Sequence, residues 1–169
     1  MTASTDPRVA TVLEHMRLEN AKDFAACIAV FSRARYDVVA EDQEYDGAHR
    51  VDDFLVENVR AFPDFEFVPS RIGPTPDAVV VEGRFQGTHL GSWRGLPATG
   101  RRVDLPMCVV FDFEGEAMVT ERLYFDLGTA LRQLGVADDP NSLRGKVVMI
   151  ASHPLVVGRA ALRALLRRR

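Results

Sequence analysis

"GTHLGSWRGLPATGRRVDLP", residues 87–106, decides how the rest of the chain is read. It closes an alternating stretch, "DAVVVEGRFQGTHLG" (77–91), in which Val79, Val81, Phe85 and His89 fall on one face and Glu82, Arg84, Gln86 and Thr88 on the other. Period-two alternation of this kind predicts a half-buried strand. Gly87 and Gly91 flank His89 and leave room there for a ligand or a neighbouring backbone. The chain's only tryptophan, Trp93, follows, and Gly95-Leu96-Pro97 breaks the strand. Downstream, "RRVDLPMCVVFDFEGEAMVTERLYFD" (101–126) predicts a hairpin. Val103, Leu105, Met107, Val109, Phe111 and Phe113 share one face, Glu114-Gly115 turns, and Val119, Glu121, Leu123 and Phe125 share a face on the return.

Upstream the period is helical. Thr5 or Asp6 supplies a capping oxygen before Pro7, and Val9, Val12, Leu13 and Met16 then recur as one stripe. "AKDFAACIAVF" (21–31) predicts a second, mostly buried helix, and "RYDVVAEDQEYDG" (35–47) a short strand running into a polar turn. A third helix carries Val51, Phe54, Leu55, Val59 and Phe62 and stops at Pro63. Phe65 and Phe67 alternate with acids in the next strand. Helices first and antiparallel strands later predict an α+β fold, with helices covering one face of a curved sheet. Asp126 caps a short helix, "LGTALRQLG", ended by Gly135, and "ADDPNS" (137–142) marks a boundary. The expected organisation is one domain over residues 1–136 and a helical extension over 137–169 that is not a domain of its own.

Composition narrows the function. With a net charge of −3 and no basic stripe before the last residues, nucleic acid is not an expected partner. Cys27 and Cys108 lie in apolar runs and read as buried thiols. Glu41, Asp42 and Glu44 lack His or Cys companions and read as a solvated edge, so neither a metal nor another cofactor is expected. The sequence shows no signal segment and no apolar run long enough to span a bilayer, which predicts a cytoplasmic location. In the final helix Arg159, Arg163 and Arg167 are four apart; packing on the body or on a dimer mate is favoured over contact with a membrane surface.

Several residues are candidates for chemistry. Glu121 is the one charged position on an apolar strand face, where desolvation would raise its pKa toward the range useful for acid–base work, unless it reaches water or an arginine. His89 could act as a base or donor, or cap backbone at the end of the sheet. Asp126 is weighted mainly as a helix cap. Asn58, on the apolar stripe of the third helix, could orient a substrate carbonyl or bond the sheet. Tyr45 opens a turn where a pocket mouth is expected, and Trp93 is read as a rim or lid aromatic.

"GTHLGSWRGLPATGRRV", together with "AFPDFEF" (61–67) and "DLGTALRQLG" (126–135), resembles the SnoaL-like polyketide cyclase (ester cyclase) family over roughly residues 7 to 136. The resemblance implies the cone-shaped, cystatin-like fold of the nuclear-transport-factor-2-like superfamily, with one deep pocket for a hydrophobic small molecule and a homodimer formed through the sheet. It also implies ring closure by intramolecular aldol condensation without metal or cofactor. Laid on this chain, the family's acid–base aspartate falls on Leu123 and its histidine on Val109. Both therefore join Phe111 as expected pocket-lining residues rather than proton carriers. The function expected is a cofactor-independent cyclase or isomerase with Glu121, His89 and Asp126 as proton-transfer candidates. The alternatives are a non-catalytic binding protein of the same fold, or epoxide hydrolysis or dehydration by Glu121 with Asp126 or Arg122.

Overall fold

The computed structural model describes residues 6–167. Asp6 accepts a hydrogen bond from the Arg8 amide at 2.9 Å and so caps helix α1, Pro7–Asn20; the alternative cap, Thr5, lies outside the described residues. The buried face of α1 is Val9, Val12, His15, Met16 and Leu18, whereas Leu13 is 46% exposed. The apolar stripe thus runs one step round from the expected one, and it includes a histidine. Helix α2, Phe24–Ala29, is capped by Asp23.

Residues 35–46 depart from expectation. Strand β1 (Arg35–Val38) and strand β2 (Gln43–Asp46) form an antiparallel hairpin around one 3-10 turn, Val39–Glu41, with Tyr36 opposite Tyr45. The acidic "polar turn" is a second strand because Asp42, at φ 53°, reverses the chain tightly enough for pairing. Helix α3 (Ala48–Ala61) follows, then β3 (Glu66–Pro74), β4 (Ala78–Thr88), β5 (Arg102–Glu114), β6 (Ala117–Phe125) and helix α4 (Leu127–Gln133).

The six strands form one curved, open sheet in the order β2-β1-β6-β5-β4-β3. All neighbours are antiparallel except β1 and β6, which run parallel with Tyr36 beside Glu121. The α+β class is as expected. The β5–β6 register slips between Asp112 and Phe113, which pairs Phe113 with Met118. That bulge inserts one residue into β6, so Met118 rather than Val119 turns inward, while Glu121 and Leu123 keep the buried face.

Two packed clusters hold the body together. One joins Val12, Tyr36, Leu55, Phe111 and Met118; the other joins Phe62, Phe65, Trp93, Leu105 and Leu134. The glycines beside His89 pack against the second. A Cβ on Gly91 would stand 2.1 Å from the Arg60 carbonyl oxygen, and the Leu90 and Gly91 amides both donate to the Ala61 carbonyl, at 2.9 and 3.1 Å. The missing side chain admits the end of α3, not a ligand. Next, Trp93 and Leu96 exchange backbone hydrogen bonds of 3.0 and 2.8 Å across a tight turn, with Arg94 at φ 50° and Gly95 at φ 80°.

After residue 136 the chain forms helices α5 (Leu143–Ser152) and α6 (Pro154–Leu166). Among the described residues, no single helix is long and apolar enough to cross a membrane.

Candidate functional site

The concave face of the sheet, α1, α3 and α4 surround a pocket. Its wall is largely aromatic, with Phe54, Phe62, Phe65, Phe85, Trp93 and Phe111 among the contributors. The polar residues on it are Glu19, Glu41, Asn58 and Glu121. An apolar cavity with a few convergent polar groups suits a hydrophobic ligand held in one orientation.

The polar end is built from three separate parts of the chain. His15 and Glu19 stand one turn apart on α1, Tyr36 comes from β1 and Glu121 from β6, where the parallel register sets them side by side. His15 Nε2 lies 2.9 Å from Glu121 Oε2, 3.2 Å from the Tyr36 hydroxyl and 3.8 Å from Glu19 Oε2. On the other side of the ring, Nδ1 is 3.2 Å from the Cys27 carbonyl oxygen. A carbonyl only accepts, so Nδ1 carries a proton, and Nε2 is left to share one with Glu121. Phe31, Tyr36 and Phe111 hold the imidazole by edge contacts, and it is completely buried.

Burial works against the His15 cation. The contacts with Cys27 and Glu121 and the Glu121 charge overcome it and hold His15 well above the usual imidazole range. Glu19 is pushed up to about 7 by burial and by the Glu121 charge, against the pull of His15. Burial first, and then the same carboxylate, push the Tyr36 phenol well above its ordinary value, so its proton stays in place. The cluster therefore contains a carboxyl group that is half-protonated near neutrality beside a carboxylate tied to an imidazole.

His15, Glu19 and Cys27 also place possible metal-ligand atoms within 4.8 Å of one another. Both His15 nitrogens are already committed, and burial pushes the Cys27 thiol up, whereas metal ligation requires a thiolate. The donor set fits proton sharing better than a metal.

Arg94 projects from the tight turn of residues 93–96. It pairs with Glu41 at 2.7 Å and Glu57 at 2.5 Å and lies over the Phe54 ring at 5.6 Å. This brace ties the turn to α3 and to the segment after β1. Tyr45 packs behind Phe54, with ring centroids 4.7 Å apart, rather than on the pocket wall.

Of the residues singled out from sequence, Glu121, Asn58, Trp93, Val109, Phe111 and Leu123 line this pocket. His89 and Asp126 are not among its lining residues. His89 is stacked on Phe62 at 5.1 Å, and its Nδ1 faces the Thr99 amide and hydroxyl at 3.2 and 3.1 Å. Its buried Nε2 has no hydrogen-bond partner among the described residues. Asp126 caps α4, accepting from the Gly128 amide at 2.8 Å and Thr129 at 2.5 Å, and pairs with Arg132. Arg122 pairs with Asp112, so neither Asp126 nor Arg122 joins Glu121 in a hydrating dyad. Nor do arginines neutralise Glu121; its partner is His15. Sequence reading missed His15, Glu19, Tyr36 and Arg94. For the first two a signal existed: positions 12, 15, 16 and 19 fall on one helical face, and two of them are ionisable.

A sequence profile of the family described as SnoaL-like polyketide cyclase matches residues 8–134. Solved structures agree on the fold. A candidate SnoaL-like polyketide cyclase from Shewanella putrefaciens superposes with a TM-score of 0.69 at 16% identity, over 78% of this chain and 98% of that one. AclR, a candidate hydroxylase from Streptomyces galilaeus, gives 0.66 at 23% identity, over 80% and 100%. A Catenulispora acidiphila protein of ketosteroid isomerase-like fold, in complex with trimethylamine, gives 0.64 at 16%, over 75% and 92%. No curated protein gives a significant match.

Proposed function

The chain belongs to the SnoaL-like polyketide cyclase family, and on that premise we propose that it binds a hydrophobic carbonyl compound and catalyses its enolisation, leading to aldol ring closure or isomerisation. The observation that carries this reading is the 2.9 Å His15–Glu121 pair beside Glu19 at the end of an aromatic pocket. Glu121 removes a proton from carbon next to the carbonyl, and the C–H electron pair becomes the enol double bond as the oxygen takes the Glu19 proton. For ring closure the enol carbon attacks a second carbonyl of the same molecule. The enol O–H proton returns to Glu19, and the new alkoxide collects the proton held by Glu121. No redox equivalent or added water is consumed. His15 and Tyr36 are positioning residues that fix the Glu121 carboxylate, and Asn58 offers an amide to orient the ligand.

Deuterium uptake at the α-carbon of 2-tetralone in D2O tests this, with quenching of the single tryptophan, Trp93, reporting occupancy. Glu121→Gln is expected to lower exchange by about 100-fold or more while binding stays within about threefold. Glu19→Gln is expected to remove the limb of the pH profile near 7. Unchanged exchange in both variants would overturn the assignment.

A second reading is favoured by one observation: Leu123 and Val109, which cannot move protons, stand at the positions where the resemblance puts the family's acid–base groups. A binding protein without turnover would quench Trp93 yet exchange no α-proton.

A further inference from the structure

Charge is divided unevenly along this chain. Residues 143–169 contain seven Lys or Arg and no Asp or Glu, while the remaining 14 basic and 24 acidic residues leave the rest of the chain at −10. In the same segment most of the described apolar side chains point outward. Leu143 is 84% exposed, Leu155 74%, Val156 70%, Val147 66% and Leu162 58%. A segment that covers its own body should bury these side chains, and one exposed only to water should not carry them.

We infer that α5 and α6 form a docking surface for an anionic lipid bilayer. Along α6, Arg159 and Arg163 recur every fourth residue, followed by Arg167, while Leu155, Leu162 and Leu166 recur at spacings of seven and four on the adjoining stripe. Arginines that reach headgroup phosphates from the border of a leucine face are what an interfacial helix requires. Neither helix alone is long enough to span a membrane. Their ten and thirteen residues reach only about 15 and 20 Å at a rise of about 1.5 Å, against a hydrocarbon core of about 30 Å. They also meet at His153–Pro154 with a bend of 103°, which suits two segments lying on a surface. The acidic body favours the same orientation, since an anionic surface repels it and attracts the extension. A second copy of the chain, binding this basic segment through its acidic body, is the competing occupant. It would satisfy the arginines but leaves the exposed apolar faces of both helices unexplained.

Co-sedimentation of the full chain with phosphatidylcholine vesicles, with and without about 30 mol% phosphatidylglycerol, decides between them. The expected result is at least tenfold stronger partitioning onto the anionic vesicles, abolished at roughly 1 M salt, where the screening length falls to about 3 Å. The triple variant Arg159→Glu, Arg163→Glu, Arg167→Glu should lose this gain. The pair Leu155→Ser, Leu162→Ser should weaken binding several-fold while leaving its salt dependence in place. Equal binding to both vesicle types, or none to either, would overturn the proposal. So would a dimer at low salt that the arginine variant converts to monomer without any vesicle binding in the wild type.

Discussion

Two histidines in this protein are completely buried, and they live under opposite conditions. His15 has partners on both ring nitrogens and a carboxylate at 2.9 Å, which hold it well above the usual imidazole range. His89 uses only Nδ1, bonds neutral groups and stacks on a phenylalanine; burial pulls its pKa below the usual range. Both came from stretches that read as apolar faces. What separates them is the partner that each topology supplies. The parallel β1–β6 pairing brings Tyr36 and Glu121 to His15, whereas the end of β4 brings His89 only the loop of Thr99 and the end of α3. A buried histidine signals chemistry when a charged group converges on it, and packing when none does.

The contrast is broken most severely at Glu121. Glu121→Ala strands His15 without its acceptor, and urea denaturation at pH 7 should show a loss of about 3–5 kcal/mol, as for other buried pairs deprived of one member. The double variant His15→Leu, Glu121→Leu should be less damaging than the single change, because no uncompensated charge is left. A loss below about 1 kcal/mol in Glu121→Ala would mean that the pair does not act as a charged unit.

Next in size is the effect of pH. His15 and Glu19 both bind protons more tightly folded than unfolded, so each stabilises the fold at low pH and loses that contribution as pH rises through its folded pKa. For Glu19 the window runs from the ordinary glutamate range up to about 7, and stability should fall by roughly 3 kcal/mol across it. Glu19→Gln should flatten that slope.

His89 has the opposite sign. Its folded form resists protonation, so its contribution is present above the ordinary histidine pKa and is lost as pH falls below it. The smallest effect is expected from His89→Phe, which removes the Nδ1 contacts with Thr99 but also an unpaired buried nitrogen. A change of about 1 kcal/mol or less, with pocket binding by Trp93 fluorescence unaltered, would confirm the histidine as packing. A large loss of α-proton exchange would instead draw it into the site.

Much of the frame was legible because it is written locally. Alternation over residues 79–89 and 103–125, the stripe of α3 and the Asp126 cap each depend on neighbours a few positions apart, and Glu121 stood out as a charge on an apolar strand. The site was less legible because its contacts are remote. His15 and Glu121 are 106 residues apart, and nothing in either window names the other. The bulge at residues 112–113 and the β1–β2 hairpin were missed for a related reason: register depends on the partner strand, and sequence shows one strand at a time. Gly91 misled in the other direction. An absent side chain beside a histidine suggests room for a ligand, but the room is taken by the Arg60 carbonyl.

The parallel junction of β1 with β6 also orders events during synthesis. About 80 residues separate the two strands, so a ribosome adding roughly 5–20 residues per second releases β1 some four to sixteen seconds before its neighbour exists. Until then the β1–β2 hairpin is a two-stranded ribbon, marginal on its own, with Tyr36 and one strand edge open to whatever chaperone or nascent chain is nearby. The proton-sharing cluster is assembled only when the last strand docks, so a chain cut short before residue 121 carries the aromatic half of the pocket, His15 and Glu19, but not the carboxylate they converge on.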